Sequence, residues 1–411
     1  MKTKTTLLAI MFAIIGLSAN AQTAYITNWA NNNVSVINIA ADTVSATITV
    51  GTEPWGVSVS SDGKKVYVTN EGDGTASVIN TAADTVMATI TVGAAPIGIA
   101  VNPGGSKVYV ANSGTNTISV ISTATNTVSA TITVGSMPMG TAVSPDGNKV
   151  YVANEQDNTV SVINASSNTV SATITVGTEP AGLTVSPDGS KVYVTNYEDN
   201  TISVINSSGN TVSATIAVGS YPWGITVSPD GSTIYVSNAG DNTVNVITTA
   251  TNTVLDTILV GNNPGGVSLS PDGSNIYVVN SGDNNVYVIN ATTNIISDTI
   301  AVGYDPASFG NFISTYQPIG IASLNIVSES VSVYPNPATE NLTIESPQEE
   351  VGSGSRQAAL IEITNIQGQL IKTLATTGNK TNIDVSAFPI GVYIVEMKTE
   401  NGVGVRKFVK E

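Results

Sequence analysis

The 411-residue sequence predicts an all-β fold, a seven-bladed β-propeller of 42-residue repeats closed by three N-terminal strands and one C-terminal strand, followed by a small β-sandwich domain. Three observations carry this reading. Tyr25, Tyr67, Tyr109, Tyr151, Tyr193, Tyr235 and Tyr277 each open a Tyr-aliphatic-x-Asn tetrapeptide, and consecutive copies stand 42 residues apart. Each step contains four short runs of alternating apolar and polar residues separated by turn signals. The chain enters the pattern at the second run and repeats the first run once more at the end.

Residues 51–92 show one unit. Run a covers 56–60 and is followed by a Ser-Asp-Gly turn; run b covers 66–70, run c 76–80 and run d 86–92. Period-2 alternation rich in Val, Ile, Thr and Tyr, with Asp-Gly and Asn-rich turns between runs, reads as antiparallel strands. Gly51, Gly93, Gly135, Gly177, Gly219, Gly261 and Gly303, and the prolines three residues beyond each, keep the same step without insertion or deletion. One supersecondary unit is therefore stacked on its copies, because it cannot bury its apolar surface alone. The chain begins at strand b (24–28), completes six whole units by Val302, and adds a last strand a within 304–314. Three early strands plus one late strand make a shared blade, which removes the open sheet edges a solenoid would leave. Strand d lies outermost in each blade, where Ser, Thr, Asp256 and Asp298 guard against edge pairing. The repeated Tyr of strand b is expected in the core between blades.

The Tyr-Val-Thr-Asn cores at 67–70 and 193–196, the Ser-Pro-Asp-Gly turns opening at Ser144, Ser186, Ser228 and Ser270, and the Val-Gly-x-x-Pro joints resemble the YVTN-type β-propeller repeats of surface-layer and secreted proteins, across residues 22–314. Propellers host unrelated functions, so this resemblance implies fold and little else. Near the C-terminus, Val333-Tyr334-Pro335-Asn336-Pro337 with Leu342 and Ile344, then 361–369, then 383–396, then Lys407, Val409 and Lys410 resemble in order the C-terminal sorting domain of type IX secretion substrates in Bacteroidota. The resemblance implies that residues 330–411 form a small β-sandwich read by the type IX machinery, leaving the cargo extracellular or on the outer cell surface. Residues 346–357 read as an extra Glu, Gly and Ser loop, and 315–329 as a linker. Lys2 and Lys4 before the apolar run 7–17, with Ala19-Asn20-Ala21, read as a signal peptide over residues 1–21. No later segment approaches the length of a membrane span.

Composition narrows the chemistry. The chain has no Cys, hence no disulfide framework and no thiolate, and no His, the commonest general base and transition-metal ligand. Without residues 1–21 it carries 12 basic against 30 acidic residues, a net charge of −18; the propeller has five lysines and 20 carboxylates. A phosphate backbone is repelled by such a surface, which excludes nucleic acid. No metal, cofactor or membrane partner is expected, and the chain is expected to be a monomer.

Comparison among the copies locates a face. The a–b and c–d turns barely vary, as structural turns should, whereas the d–a joint and the b–c loop vary freely and emerge on one side of the disc. That side collects Trp29, Glu53, Trp55, Glu71, Asp73, Met137, Met139, Glu155, Asp157, Glu179, Tyr197, Glu198, Asp199, Tyr221, Trp223, Asp241, Asp283, Tyr304 and Asp305, with all three tryptophans and no lysine. Trp29, Glu53, Trp55, Glu179, Tyr197, Glu198, Asp199, Tyr221, Trp223, Tyr304 and Asp305 are the candidate ligand-binding residues. Aromatic rings supply contact area at small entropic cost and carboxylates accept hydroxyls or pair with cations, so an extracellular glycan or a basic protein patch suits the face. The structural alternative is that the aromatics plug the channel mouth and the acids serve turn geometry. The Asp-x-Asn-Thr loops at Asp157, Asp199 and Asp241 lack a full calcium ligand spacing. A non-catalytic binding or adhesion protein is therefore the expected function; the alternatives are a carboxylate-dependent carbohydrate enzyme, which needs two acids across a sugar, and a structural surface-layer element.

Overall fold

The computed structural model describes residues 22–314, 332–345, 359–365, 370–376, 380–399 and 402–411. The expected signal peptide, the linker at 315–329 and the loop at 346–357 lie outside the described residues. The chain divides into two compact units, 1–319 and 320–411.

In the first unit, six four-stranded antiparallel sheets each keep their strands in chain order. Numbering the blades along the chain, with the shared blade as blade 1, blade 2 consists of Pro54–Val59, Lys65–Asn70, Thr75–Asn80 and Thr85–Thr91. Two irregularities recur in register: strand a shifts between Pro54 and Val57 against strand b, and strand d shifts against strand c between Val78 and Ile79. Such bulges add twist and bend each blade. The first bulge carries Gly56, whose N–H donates to Thr69 Oγ1 at 2.8 Å. A Cβ on Gly56 would lie 2.1 Å from the Ile97 carbonyl oxygen of blade 3, so only glycine permits the innermost strands to converge.

The core lies between blades. Tyr109, Ile118, Val120 and Ile132 of blade 3 pack with Val150, Val152 and Ile163 of blade 4, and the same cluster recurs around the ring. The strand-b tyrosines are buried in these seams. Burial pushes the Tyr67 phenol up to about 12. On the side of the conserved turns, the Lys65, Lys107 and Lys149 ammonium groups donate to the Thr123, Ala165 and Ser207 carbonyls of the following blade at 3.1, 2.7 and 2.6 Å. Apolar contact thus joins each unit to its neighbour, and in blades 2, 3 and 4 a charge-assisted bond reinforces it.

The ring closes where the termini of the unit meet. Strands Thr23–Asn28, Asn33–Asn38 and Thr43–Thr49 form a three-stranded sheet, and the returning chain occupies its open inner edge. Tyr25 N–H donates to the Phe312 carbonyl, Ser314 N–H to Thr23, Ala307 N–H to Thr27 and Trp29 N–H to Asp305, all within 2.9–3.0 Å. Phe312 and Ile313 join a core cluster that spans blades 7, 1 and 2. The returning segment differs from the regular strand a expected over 304–314. It makes isolated bridges, Asn28↔Pro306 and Ala24↔Ile313. The other blades pair residues equivalent to Asn28 with Pro306 but residues equivalent to Ala24 with position 311, as Val66 pairs Val59. Two residues are therefore looped out, and Ser308 (φ 47) and Gly310 (φ 117) take up the bend. Ser308 stands where the other blades have glycine; its hydroxyl accepts from Thr27 N–H at 2.9 Å, and its N–H donates to Thr27 Oγ1 at 2.7 Å.

The second unit contains a three-stranded sheet, Ser332–Tyr334, Asn341–Glu345 and Lys380–Asp384, and a four-stranded sheet of order Leu370–Thr376, Ala359–Asn365, Gly391–Thr399, Gly402–Lys410. Leu342, Ile344 and Ile383 from the first sheet and Ile361, Ile363, Tyr393, Val395 and Phe408 from the second share one core. This is a small β-sandwich. Among the described residues no helix is long and apolar enough to cross a membrane.

Candidate binding face

The d–a joint and the b–c loop are held together in every blade by a polar frame. In blade 2, Glu71 N–H donates to the Glu53 carbonyl at 3.0 Å, and the buried Asn70 accepts from Gly51 N–H at 3.1 Å while its amide donates to Thr75 and Ser77. Asp73 accepts from Thr52 N–H at 2.7 Å and from its hydroxyl at 2.5 Å, which holds its carboxyl below the usual range. Asp157, Asp199, Asp241 and Asp283 accept from the N–H groups of Ser136, Thr178, Ser220 and Asn262 in the same way. A second set of bonds crosses between blades: Asn32, Asn158, Asn200 and Asn284 accept from Glu53, Tyr221-type positions that enter the next blade, namely the N–H groups of Glu53, Glu179, Tyr221 and Asp305, at 2.8–2.9 Å. Those four acceptors' partners all sit in left-handed backbone, with φ of 51–54. Non-glycine residues persist in that region only where their surroundings over-determine it. The loops are consequently rigid mounts for the side chains they carry.

Three groups of side chains result. Around the channel mouth, Ile97, Met139 and Phe309 are buried, with Trp55, Met137 and Trp223 packed on them. Trp55 Nε1 is buried there without a hydrogen-bond partner. Behind them the inner strands line a narrow channel with Ile99, Thr141, Leu183, Ile225 and Val267. Across blades 4 to 6, the Tyr197 ring stacks on Tyr221 with centroids 4.8 Å apart and meets Trp223 edge-on at 5.6 Å; Trp223 lies 5.5 Å from Phe309. Glu179 is joined to this stack by the bond from Tyr197 N–H to its carbonyl, and Glu155 lies near enough to Glu179 to feel its charge. Burial, then the charge of Glu179, pushes the Glu155 carboxyl up; burial, then Tyr221 and the neighbouring glutamates, does the same to the Tyr197 phenol. On blades 1 and 2, Trp29 Nε1 donates to Glu71 Oε2 at 3.3 Å, and burial outweighs that bond, with Glu53 adding to it, so the Glu71 carboxyl is also raised.

The structure therefore sorts the residues expected from the sequence. Trp55 and Trp223 both pack on the buried cluster at the mouth; Glu179, Tyr197 and Tyr221 come together on blades 5 and 6; Trp29 and Glu53 come together with Glu71. Asp199 is committed to the Thr178 N–H, and Glu198 stands exposed beside Tyr197. Tyr304 is 66% exposed and Asp305 is exposed, both at the closing joint and apart from the aromatic stack. Phe309 and Ile97 belong to the mouth and were not among the expected residues. The 42-residue spacing to Trp55 and Met139 is the signal for Ile97; Phe309 lies within the irregular stretch between Pro306 and Ile313, so spacing misplaces it. Among the described residues no group of three or more His, Cys, Asp or Glu side chains is arranged to hold a metal ion.

Comparison with known proteins agrees with this architecture. The family model for the seven-bladed β-propeller lactonases matches residues 81–175, 141–255 and 210–300, and the model for the secretion system C-terminal sorting domain matches residues 332–411. No curated protein sequence matches. Among solved structures, hydrazine synthase of Kuenenia stuttgartiensis is similar at 24% identity and a TM-score of 0.61, over 67% of this chain and 94% of that one. A functionally unknown protein from Desulfotomaculum acetoxidans is similar at 18% identity and a TM-score of 0.62, over 71% and 100%. These structural likenesses establish the fold. The chain belongs to the seven-bladed lactonase and YVTN-like β-propeller family, and its C-terminal type IX secretion sorting domain marks it for export to the cell surface or extracellular space.

Proposed function

We propose that the exported propeller is a non-catalytic binding module that recognises an extracellular glycan or protein through its d–a and b–c loop face. The observation that carries this reading is the contrast between frame and cargo within one molecule. The Asn and Asp residues that fasten the loops recur blade after blade, whereas the residues mounted between them change from Ser113, Ala239 and Ser281 to Trp29, Glu71, Glu155 and Tyr197. The frame folds equally well around a serine, so folding does not require the aromatic and acidic side chains. Variable loops on a rigid scaffold are where recognition is built. Trp55 and Trp223, half-buried around the mouth, offer a ligand apolar ring area.

The lactonases and carbohydrate enzymes are the competing class, favoured by one observation, the raised Glu155 beside Glu179, since acid–base pairs are made by environments that separate two carboxyls. Against it stand the lack of histidine and the use of the loop aspartates as backbone acceptors. A glycan array and a pull-down of secreted proteins, run with the wild-type mature chain and the Trp55→Ala/Trp223→Ala double variant, test the proposal. Tryptophan-dependent retention of a ligand, released unaltered, supports binding. Hydrolysis of a lactone or polysaccharide lost in Glu155→Gln would replace it with catalysis.

A further inference from the structure

The acidic–aromatic cluster on blades 4 to 6 has a chemistry narrower than the face as a whole, and reading it rests on the binding function proposed above. Glu155 and Glu179 are half-buried, and among the described residues neither carboxylate receives a hydrogen-bond donor or a cation, whereas the loop aspartates Asp157, Asp199 and Asp241 each accept a backbone N–H. Partly desolvated carboxylates without partners are costly, and a ligand cation relieves that cost. No cation of the propeller is within reach. Its five lysines all belong to the a–b turns and the starts of the b strands, at the opposite end of those strands from Asn70 and its equivalents, and three of them are spent on neighbouring carbonyls. The loop face carries eleven carboxylates and no basic side chain.

The aromatic geometry sharpens the choice of cation. Tyr197 and Tyr221 are stacked with planes 27° apart, Trp223 closes one side edge-on, and Tyr221 is 41% exposed. A half-exposed ring and unpaired carboxylates carried on neighbouring joints match a planar guanidinium, which stacks on a ring and donates in its own plane to the acids. A neutral sugar would leave both carboxylates unpaired. An ammonium supplies the charge without the stacking plane. The corresponding positions in blades 3 and 7 are Ala95, Ser113, Asn263 and Ser281, so the cluster is a local addition to the repeat. We propose that Glu155, Glu179, Tyr197 and Tyr221 form a site for an arginine side chain of a partner protein.

The test uses the mature full-length chain and fluorescence anisotropy with three labelled probes: a tetra-arginine peptide, the tetra-lysine peptide and a glucosamine tetramer. Arginine peptide should bind more tightly than lysine peptide. Glu155→Gln/Glu179→Gln should weaken arginine binding by about tenfold or more, as loss of a partly desolvated charge partner does. Tyr221→Phe should retain binding and Tyr221→Leu should lose it, because stacking needs the ring and not the hydroxyl. Asp256→Asn/Asp298→Asn, on the outer strands and matched in charge, serves as the reference for general attraction. Equal losses in the two double variants, equal affinity for lysine and arginine, or preference for the glucosamine tetramer would each overturn the proposal. Tryptophan-dependent ligand capture without arginine binding would remove this site while leaving the binding function standing; failure of both would remove both.

Discussion

Replacing Phe312 by alanine should destabilise the propeller severely, because this one side chain plugs the seam at which the ring closes. Phe312 is fully buried and shares a cluster with Tyr25, Val36, Val57 and Tyr277, drawn from blades 1, 2 and 7. Truncating a buried phenylalanine costs about 3–5 kcal/mol, the transfer term plus the cavity left in a core that collapses incompletely. With a urea m-value of about 3 kcal/mol/M, the midpoint should fall by about 1–1.7 M. Tryptophan fluorescence isolates the effect, since Trp29, Trp55 and Trp223 are the only tryptophans and all lie in the propeller. Ile295→Ala, on the outer strand of blade 7 and 65% exposed, provides the comparison and should shift stability by at most about 0.5 kcal/mol. Equal, small shifts for both variants would mean that the returning segment contributes no packing, and the closed ring would be refuted.

Other substitutions probe the frame. Gly98→Ala should be disruptive despite its small size, because the new Cβ would lie 2.0 Å from the Met139 carbonyl oxygen; thermal unfolding should show a loss of several kcal/mol, compared with little change for Gly104→Ala at an exposed turn. Lys149→Met should cost about 1 kcal/mol in urea unfolding by removing the ammonium bond to the Ser207 carbonyl while retaining the apolar stem. Asp84→Asn should stabilise the protein at neutral pH. Burial raises the folded carboxyl of Asp84 above its unfolded value, so the charged form is disfavoured by folding, stability rises as pH falls through the folded value, and the amide removes that dependence. Asp188 and Asp230 behave oppositely: the hydroxyls and N–H groups of their turns depress both to about 2, so their contribution is present above the unfolded value and is lost as pH falls toward 2, measurable as acid unfolding by fluorescence.

The repeat made most of the architecture legible. A constant step of 42 residues fixes strand order and places every strand-b tyrosine and every joint proline in the same environment, so one unit read correctly is all of them. Legibility fails where the repeat is broken or where two repeats meet. The last strand a is present but departs from the six regular copies, because two residues are looped out between Pro306 and Ile313. The partner of Asp199, the Thr178 N–H, lies 21 residues away in the joint, so no local pattern pairs them. The Asn158 and Asn200 bonds to Glu179 and Tyr221 cross from one blade to the next, as does the pairing of Glu155 with Glu179. Periodicity assigns such residues to a face but cannot say which of them touch, since side-chain reach around the ring depends on blade geometry that no run of letters expresses.

A disulfide placed across the seam tests closure most directly. Ala24 and Ile313 form an antiparallel bridge flanked by the bonds from Tyr25 N–H to Phe312 and from Ser314 N–H to Thr23, which makes them a non-hydrogen-bonded pair with Cα atoms about 4.5 Å apart, within disulfide range. The natural chain has no cysteine, so Ala24→Cys with Ile313→Cys introduces the sole thiol pair. Under mild oxidation of the folded protein, a closed ring predicts loss of both thiols within one chain and a higher midpoint of unfolding that reduction reverses. Two thiols that stay titratable in the folded chain, or that link only separate chains, would contradict it.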